Sequence, residues 1–168
     1  MIKQMMMALL LAMMPFAASA QETHVVQEQV DSLLSPSIVV NRHFYVKDLN
    51  GKLWTEQSLK GHKVVINAWY SGCGPCLREM PILSEWKNKY PNVIFLSVNF
   101  EKADKVRKIT EARGFNWTHL YGDNYFVKFV GSGGFPLFIV LGEDGLMRYM
   151  VNGTNEKIRQ DILNVINK

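Results

Sequence analysis

Three short, near-continuous apolar runs, at residues 64–68, 93–98 and 137–141, stand out from an otherwise mixed chain. Runs of that length read as strands covered on both faces. Between and after them the apolar period changes. Leu77, Met80, Leu83, Trp86 and Tyr90 recur every three or four residues, as do Ala103, Val106 and Ile109, and both sets predict crossover helices. A last helix is predicted from about Asn155, a capping residue, with Ile158, Ile162, Val165 and Ile166 on one face. Strand character over 38–47 and 52–54, on either side of Asn50-Gly51, predicts a β-hairpin ahead of the main sheet. The alternation implies an α/β fold, a central sheet with helices on both sides. The domain is expected to start near Ile38, after a mostly polar lead-in over 21–37 that ends in Ser35-Pro36-Ser37. No internal repeat is visible.

The first twenty residues do not fit that pattern. Lys3 gives a positive start, residues 5–14 form an apolar run of about ten, and Ala18-Ser19-Ala20 supplies the small residues of a cleavage site. These features predict a signal peptide over 1–20, cut before Gln21, and a periplasmic location. The run is short against the roughly 20 residues of a spanning helix, which makes a membrane anchor the lesser reading. No cysteine follows it to carry a lipid.

Composition changes once this segment is set aside. It holds six of the nine methionines, and without it the 168-residue chain falls to 148 residues and its formal charge from +4 to +3, Lys3 being its only charged residue. The remaining bases are interleaved with acids: Lys87, Lys105 and Arg113 lie among Glu85, Asp104 and Glu111. Such mixing reads as solvated helix faces and argues against a nucleic-acid partner.

The chemistry is concentrated in Cys73-Gly74-Pro75-Cys76, which contains both cysteines of the chain. The motif follows the strand at 64–68 and opens the helix of Leu77 and Met80. At a helix N-terminus, free backbone N–H groups and the dipole stabilise a thiolate, lowering a cysteine pKa from about 8.5 to about 3.5–7.5. Cys73 is the expected nucleophile, with Cys76 one turn later to resolve a mixed disulfide. Pro75 suits the first turn, and Gly74 lets a partner backbone approach. The pair admits three other readings. A purely structural bridge would close a tiny loop and restrain the unfolded chain little. A metal site needs two further ligands, and His24, His43, His62 and His119 lack a matching spacing. Buried inert thiols are the third. The redox reading outweighs these, and no cofactor or resident metal is expected.

With these residues in view, the chain resembles the thioredoxin superfamily, within it the TlpA/ResA-like branch of exported thiol-disulfide oxidoreductases. The resemblance runs from about Phe44 to the C-terminus. It rests on Asn67 and Trp69 before the C-x-x-C motif, on Glu79 and Pro81 after it, and on Gly134-Phe135-Pro136 before the strand at 137–141, with Glu143-Asp144-Gly145 as the following turn. The resemblance implies a thioredoxin-like fold, with a central mixed sheet, an N-terminal β-hairpin and a strand-helix insert between Cys73 and Pro136. It further implies that Pro136 is a cis-proline facing the cysteine pair, presenting the backbone of Phe135 to a substrate strand. Glu79, three residues after Cys76 on the same helical face, is the candidate proton acceptor for Cys76. Smaller thioredoxins usually have an Asp at the place of Asn67, and an Asn cannot titrate. Pro81 is expected to kink its helix, and Gly131-Ser132-Gly133-Gly134 to make the approach to Pro136 flexible.

Three departures bear on substrate choice. Gly72 replaces a common Trp before the first cysteine, Ala68 a common Phe, and Leu137 a common Thr, so less aromatic area is expected around Cys73. The implied function is reduction of disulfides in exported proteins, apocytochrome c among them, by a monomer re-reduced through a membrane thiol-electron donor. The Gly-Pro dipeptide matches the reducing type, near about −270 mV, over the oxidising type near about −120 mV. The alternatives are a disulfide oxidase or isomerase, a metal-delivery protein using the cysteine pair, a noncatalytic binding domain, and a thiol peroxidase. The last usually carries Thr where this chain has Tyr70.

Overall fold

The computed structural model describes residues 44–168. The segments 1–20 and 21–37, the domain start near Ile38, and His24 and His43 lie outside the described residues.

Asn50-Gly51 closes a hairpin between β1 (Val46–Lys47) and β2 (Leu53–Trp54), with Val46 opposite Trp54. The buried Asp48 carboxylate organises it, accepting the N–H groups of Asn50 and Lys52 at 2.9 and 3.0 Å and the indole N–H of Trp54 at 2.9 Å. An acid in this place satisfies turn N–H groups that would otherwise be left without acceptors. Of the predicted first strand only Val46–Lys47 is seen, and 38–43 lie outside the described residues.

The main sheet contains β3 (Lys63–Ala68), β4 (Val93–Val98), β5 (Thr118–Leu120), β6 (Leu137–Leu141) and β7 (Met147–Asn152), in the order β5-β4-β3-β6-β7. β3 runs parallel to β4, and β4 to β5, whereas β6 is antiparallel to both β3 and β7. The sheet is therefore mixed, and β3 is its centre. Alternation along β3 divides the core in two. Val64, Ile66 and Ala68 belong to one apolar layer, and Val65 and Trp69 to the other.

The second layer is covered by α1 (Gly74–Lys89), α2 (Ala103–Ala112) and α3 (Glu156–Ile166), through Met80, Leu83, Trp86, Val106, Ile162 and Ile166. The first is covered by the hairpin residues Val46 and Trp54 and by a 3₁₀ segment, Phe126–Gly133, which buries Phe126 and Val130. The helical cover on that face is thus 3₁₀ and not α. Between α1 and β6 the chain runs through β4, α2, β5 and the 3₁₀ segment. Asn155 caps α3 as predicted, its side chain accepting the Ile158 N–H at 2.8 Å. α1 continues through Pro81 without ending there.

Two strands, implied only by the expected insert and by the turn at 143–145, had no predicted bounds. β5 has three residues, too few for a periodic signal. β7 alternates, with Arg148 and Met150 more exposed than Met147, Tyr149 and Val151, the mark of an edge strand covered on one face.

Candidate active site

Local hydrogen bonds dictate where the cysteines sit. At the end of β3, the Trp69 indole N–H donates to Ser97 Oγ at 2.7 Å, which fixes the strand exit against β4. The chain then turns, the Cys73 N–H donating to the Tyr70 carbonyl at 3.0 Å, and α1 begins. Cys73 is the N-cap of α1. Its Sγ accepts the backbone N–H of Cys76 at 3.2 Å, and Pro75 stands in the first turn, where its missing N–H costs nothing.

Cys73 and Cys76 are disulfide-bonded, with Cα atoms 5.3 Å apart. Both are nearly buried, at 4% and 2% exposure. An N-cap sulfur beside unsatisfied N–H groups is a favourable position for negative charge, so this geometry suits a thiolate at Cys73 once the bridge is reduced.

Of the remaining predicted site residues, Glu79 lies on α1 itself and Pro136 immediately before β6. The Phe135-Pro136 bond is cis. Ala68 pairs with Leu137, which brings Pro136 to the same sheet end as Trp69 and the cysteine turn, and Phe135 packs against the layer containing both cysteines. The approach to Pro136 is tied down rather than loose. Asn152 Nδ2 of β7 donates to the carbonyls of Val130 and Gly134 at 3.0 and 2.7 Å. Gly133 must be a glycine here, since a Cβ would stand 2.4 Å from the Asn152 side chain. Asp123 accepts the N–H groups of Tyr125, Phe126 and Val127 at the start of the 3₁₀ segment. Burial pushes its carboxyl up against those stabilising bonds.

Glu79 lies on the buried face of α1, at 5% exposure, and is ion-paired with Arg159 of α3 at 2.5 Å. Its second oxygen, Oε2, is buried without a protein partner, as is Nδ2 of Asn67 on β3. Asn67 stands two residues from both Val65 and Trp69, which belong to the layer that holds the cysteines, and so shares their face of β3.

Sequence reasoning missed Arg159, Ser71 and Glu101. Glu101, just after β4, accepts the Ser71 N–H at 2.8 Å and the Ser71 hydroxyl at 2.7 Å, which secures the turn two residues before Cys73. Burial opposes its charge, but hydrogen bonds from Lys105 and Ser71 and the Lys105 charge outweigh burial and hold its carboxyl below the usual range. A glutamate three residues beyond a parallel strand next to the motif strand is the one sequence signal for it. Of the histidines, His62 and His119 are described, and His119 bonds the Phe115 carbonyl at 2.8 Å. Among the described residues no three His, Cys, Asp or Glu side chains are grouped to hold a metal.

A mixed sheet with a C-x-x-C disulfide capping the helix after its central strand, and a cis-proline at the same sheet end, defines a thioredoxin-fold thiol-disulfide oxidoreductase. The chain belongs to the Redoxin family, whose model matches residues 30–166. It is 30% identical over 124 residues to the thioredoxin-like protein YneN of Bacillus subtilis, covering 68% of this chain and 70% of that one. To the thiol-disulfide oxidoreductase ResA of Bacillus thuringiensis it is 29% identical over 126 residues, covering 68% and 69%. In fold it is similar to a secreted Mycobacterium tuberculosis disulfide oxidoreductase homologous to E. coli DsbE (TM-score 0.63, 21% identity, 74% of this chain and 96% of that one). The thioredoxin domain of a Bacteroides vulgatus thiol-disulfide oxidoreductase is also similar (TM-score 0.61, 22% identity, 76% and 93%).

Proposed function

We propose that this chain is exported and, in its dithiol form, reduces disulfides in other exported proteins. The Cys73 thiolate attacks one sulfur of the substrate disulfide, that bond breaks, and the other substrate sulfur leaves as a thiolate and takes up a proton. Cys76 then gives its proton to Glu79 and attacks Cys73 Sγ, releasing the second substrate sulfur, which is protonated in turn. The sum is two electrons and two protons passed to the substrate, with Cys73–Cys76 left as the disulfide.

The single observation that carries this reading is the position of Cys73 as the N-cap of α1, bridged to Cys76 within the same turn. The buried Glu79, one turn beyond Cys76, supports its role as proton acceptor. Pro136, at the sheet end of the cysteine turn, supports seating of a substrate strand against Phe135. ResA, a thiol-disulfide oxidoreductase by name, supports the exchange chemistry. Cytochrome c maturation, with apocytochrome c as substrate and a membrane thiol-electron donor, is the setting we infer, because an oxidising compartment does not itself supply electrons. The working unit is a monomer.

The test is insulin reduction with dithiothreitol as electron source. Acceleration lost in Cys73→Ser is the expected result; wild-type protein that leaves the insulin disulfides at the dithiothreitol-only rate would overturn the reading.

A further inference from the structure

Aromatic area beside the cysteines comes from positions other than the one where the sequence lacks it. Gly72 precedes Cys73 without a side chain, and a Cβ there would lie 2.7 Å from Tyr70 Cε2. The Tyr70 ring therefore already fills the space next to Gly72. Its centroid is 5.0 Å from that of Phe135 and 6.2 Å from that of Phe100, and Phe100 and Phe135 are 6.3 Å apart. The three residues follow β3, follow β4 and precede β6. Because Ala68 pairs with both Val98 and Leu137, all three lie at the sheet end that carries Cys73.

Two further features make these rings a contact surface. Phe100 is 46% exposed, whereas Tyr70 and Phe135 are half-buried and support it. Glu101, next to Phe100, holds Ser71, next to Tyr70, through two hydrogen bonds. The loops are thus joined before any partner arrives, which lowers the ordering cost of contact. Cys73 itself is only 4% exposed. A partner sulfur that reaches it must bring its own neighbouring residues over the surface next to Cys73, which is continuous with Gly72 and the Tyr70 ring.

We infer that Tyr70 and Phe100, backed by Phe135, are specificity-determining residues, and that they select polypeptide disulfides flanked by an aromatic or branched aliphatic side chain. This rests on the exchange chemistry proposed above and extends it to substrate class. The electron balance is unchanged: the peptide disulfide becomes two thiols as Cys73 and Cys76 become the disulfide.

The test uses two symmetric peptide disulfides, one with Phe and one with Ser before the cysteine, and hydroxyethyl disulfide as a probe with no side chain to seat. Loss of protein thiols is followed after mixing each with the fully reduced protein. The Phe peptide is expected to react about fivefold to tenfold faster than the Ser peptide, the scale of partial burial of one large apolar side chain. In Phe100→Ser and in Tyr70→Ser that preference falls to within about twofold on the same scale. Thermal unfolding checks that each variant is folded, and the exposed Phe100 decides if Tyr70→Ser is not.

Equal rates with the two peptides in the wild type, or a preference kept in Phe100→Ser, would overturn the inference while leaving the exchange reading intact. A change of oligomeric state in Phe100→Ser with unchanged preference would also overturn it, assigning the rings to a second copy of the chain. No reaction with any probe, hydroxyethyl disulfide included, would overturn the exchange reading and this inference together.

Discussion

Glu79 Oε1 accepts a hydrogen bond from Arg159 Nη1 across 80 residues of sequence, tying the helix that begins with the cysteines to the last helix of the chain. The side chains are 7% and 23% exposed, so the pair is largely withdrawn from water. Removing one partner of a buried pair leaves the other charge uncompensated, at roughly 3–5 kcal/mol for full burial. Arg159→Met is predicted to cost less, about 2–3 kcal/mol, because Arg159 keeps some solvent. Glu79→Gln retains an acceptor for the guanidinium and should cost about 1 kcal/mol. Urea unfolding of both variants checks the order. If Glu79 is also the proton acceptor, Glu79→Gln slows resolution by about a hundredfold, seen as accumulation of the mixed disulfide in rapid quench.

Glu101→Ala removes the acceptor of both Ser71 hydrogen bonds and the partner of Lys105. Hydrogen bonds to charged groups contribute about 1.5–3 kcal/mol each before solvent screening, so a loss of about 2 kcal/mol is expected for this partly buried site. Since the folded pKa is depressed, the wild type owes this contribution to pH above the unfolded carboxylate value and loses it as pH falls through the folded one. The difference between wild type and Glu101→Ala in chemical unfolding should accordingly shrink in acid.

His119 supplies a second pH dependence. Burial lowers its pKa from 6.5 to about 4, against the hydrogen bond to Phe115 and with help from the nearby Lys87 charge. The unfolded chain therefore binds a proton between those values that the folded one does not, and stability falls as pH drops from above 6.5 toward 4. The loss across the two values is on the order of 3 kcal/mol, at about 1.4 kcal/mol for each pH unit separating the folded from the unfolded value. His119→Gln should flatten the unfolding midpoint over that interval, and an unchanged slope would contradict this assignment.

Asn152→Ala unties the approach to Pro136 by removing the donor to Val130 and Gly134. It is predicted to cost about 1–2 kcal/mol and to raise hydrogen exchange along 131–135 before the rest of the domain opens. Uniform exchange in the variant would argue that the segment is held by its apolar contacts instead.

Periodicity made the core of the fold readable. The three central strands, the helices α1, α2 and α3, and the Asn155 cap follow from apolar spacing and one polar residue, because burial on a sheet or helix face constrains those positions most tightly. β5 and the 3₁₀ segment lacked that signal, being short or organised by Asp123 and Asn152 rather than by an apolar stripe. At the site, Cys73 and Cys76 were legible from the spacing of their motif, and Glu79 and Pro136 were expected from the family resemblance. Arg159, Ser71 and Glu101 were not, because their partners are distant in sequence and a lone polar residue on an amphipathic helix or after a strand reads as solvated. Gly72 does lack the aromatic side chain whose absence the sequence shows, but Tyr70 fills the gap in space.

Trapping in cells is the most direct measurement of the central claim, that Cys73 attacks and Cys76 resolves. With Cys76→Ser, the account predicts protein adducts that migrate as mixed disulfides, disappear on reduction, and map to Cys73 by mass spectrometry, while Cys73→Ser yields none. Adducts carried on Cys76 in Cys73→Ser, with none in Cys76→Ser, would contradict it.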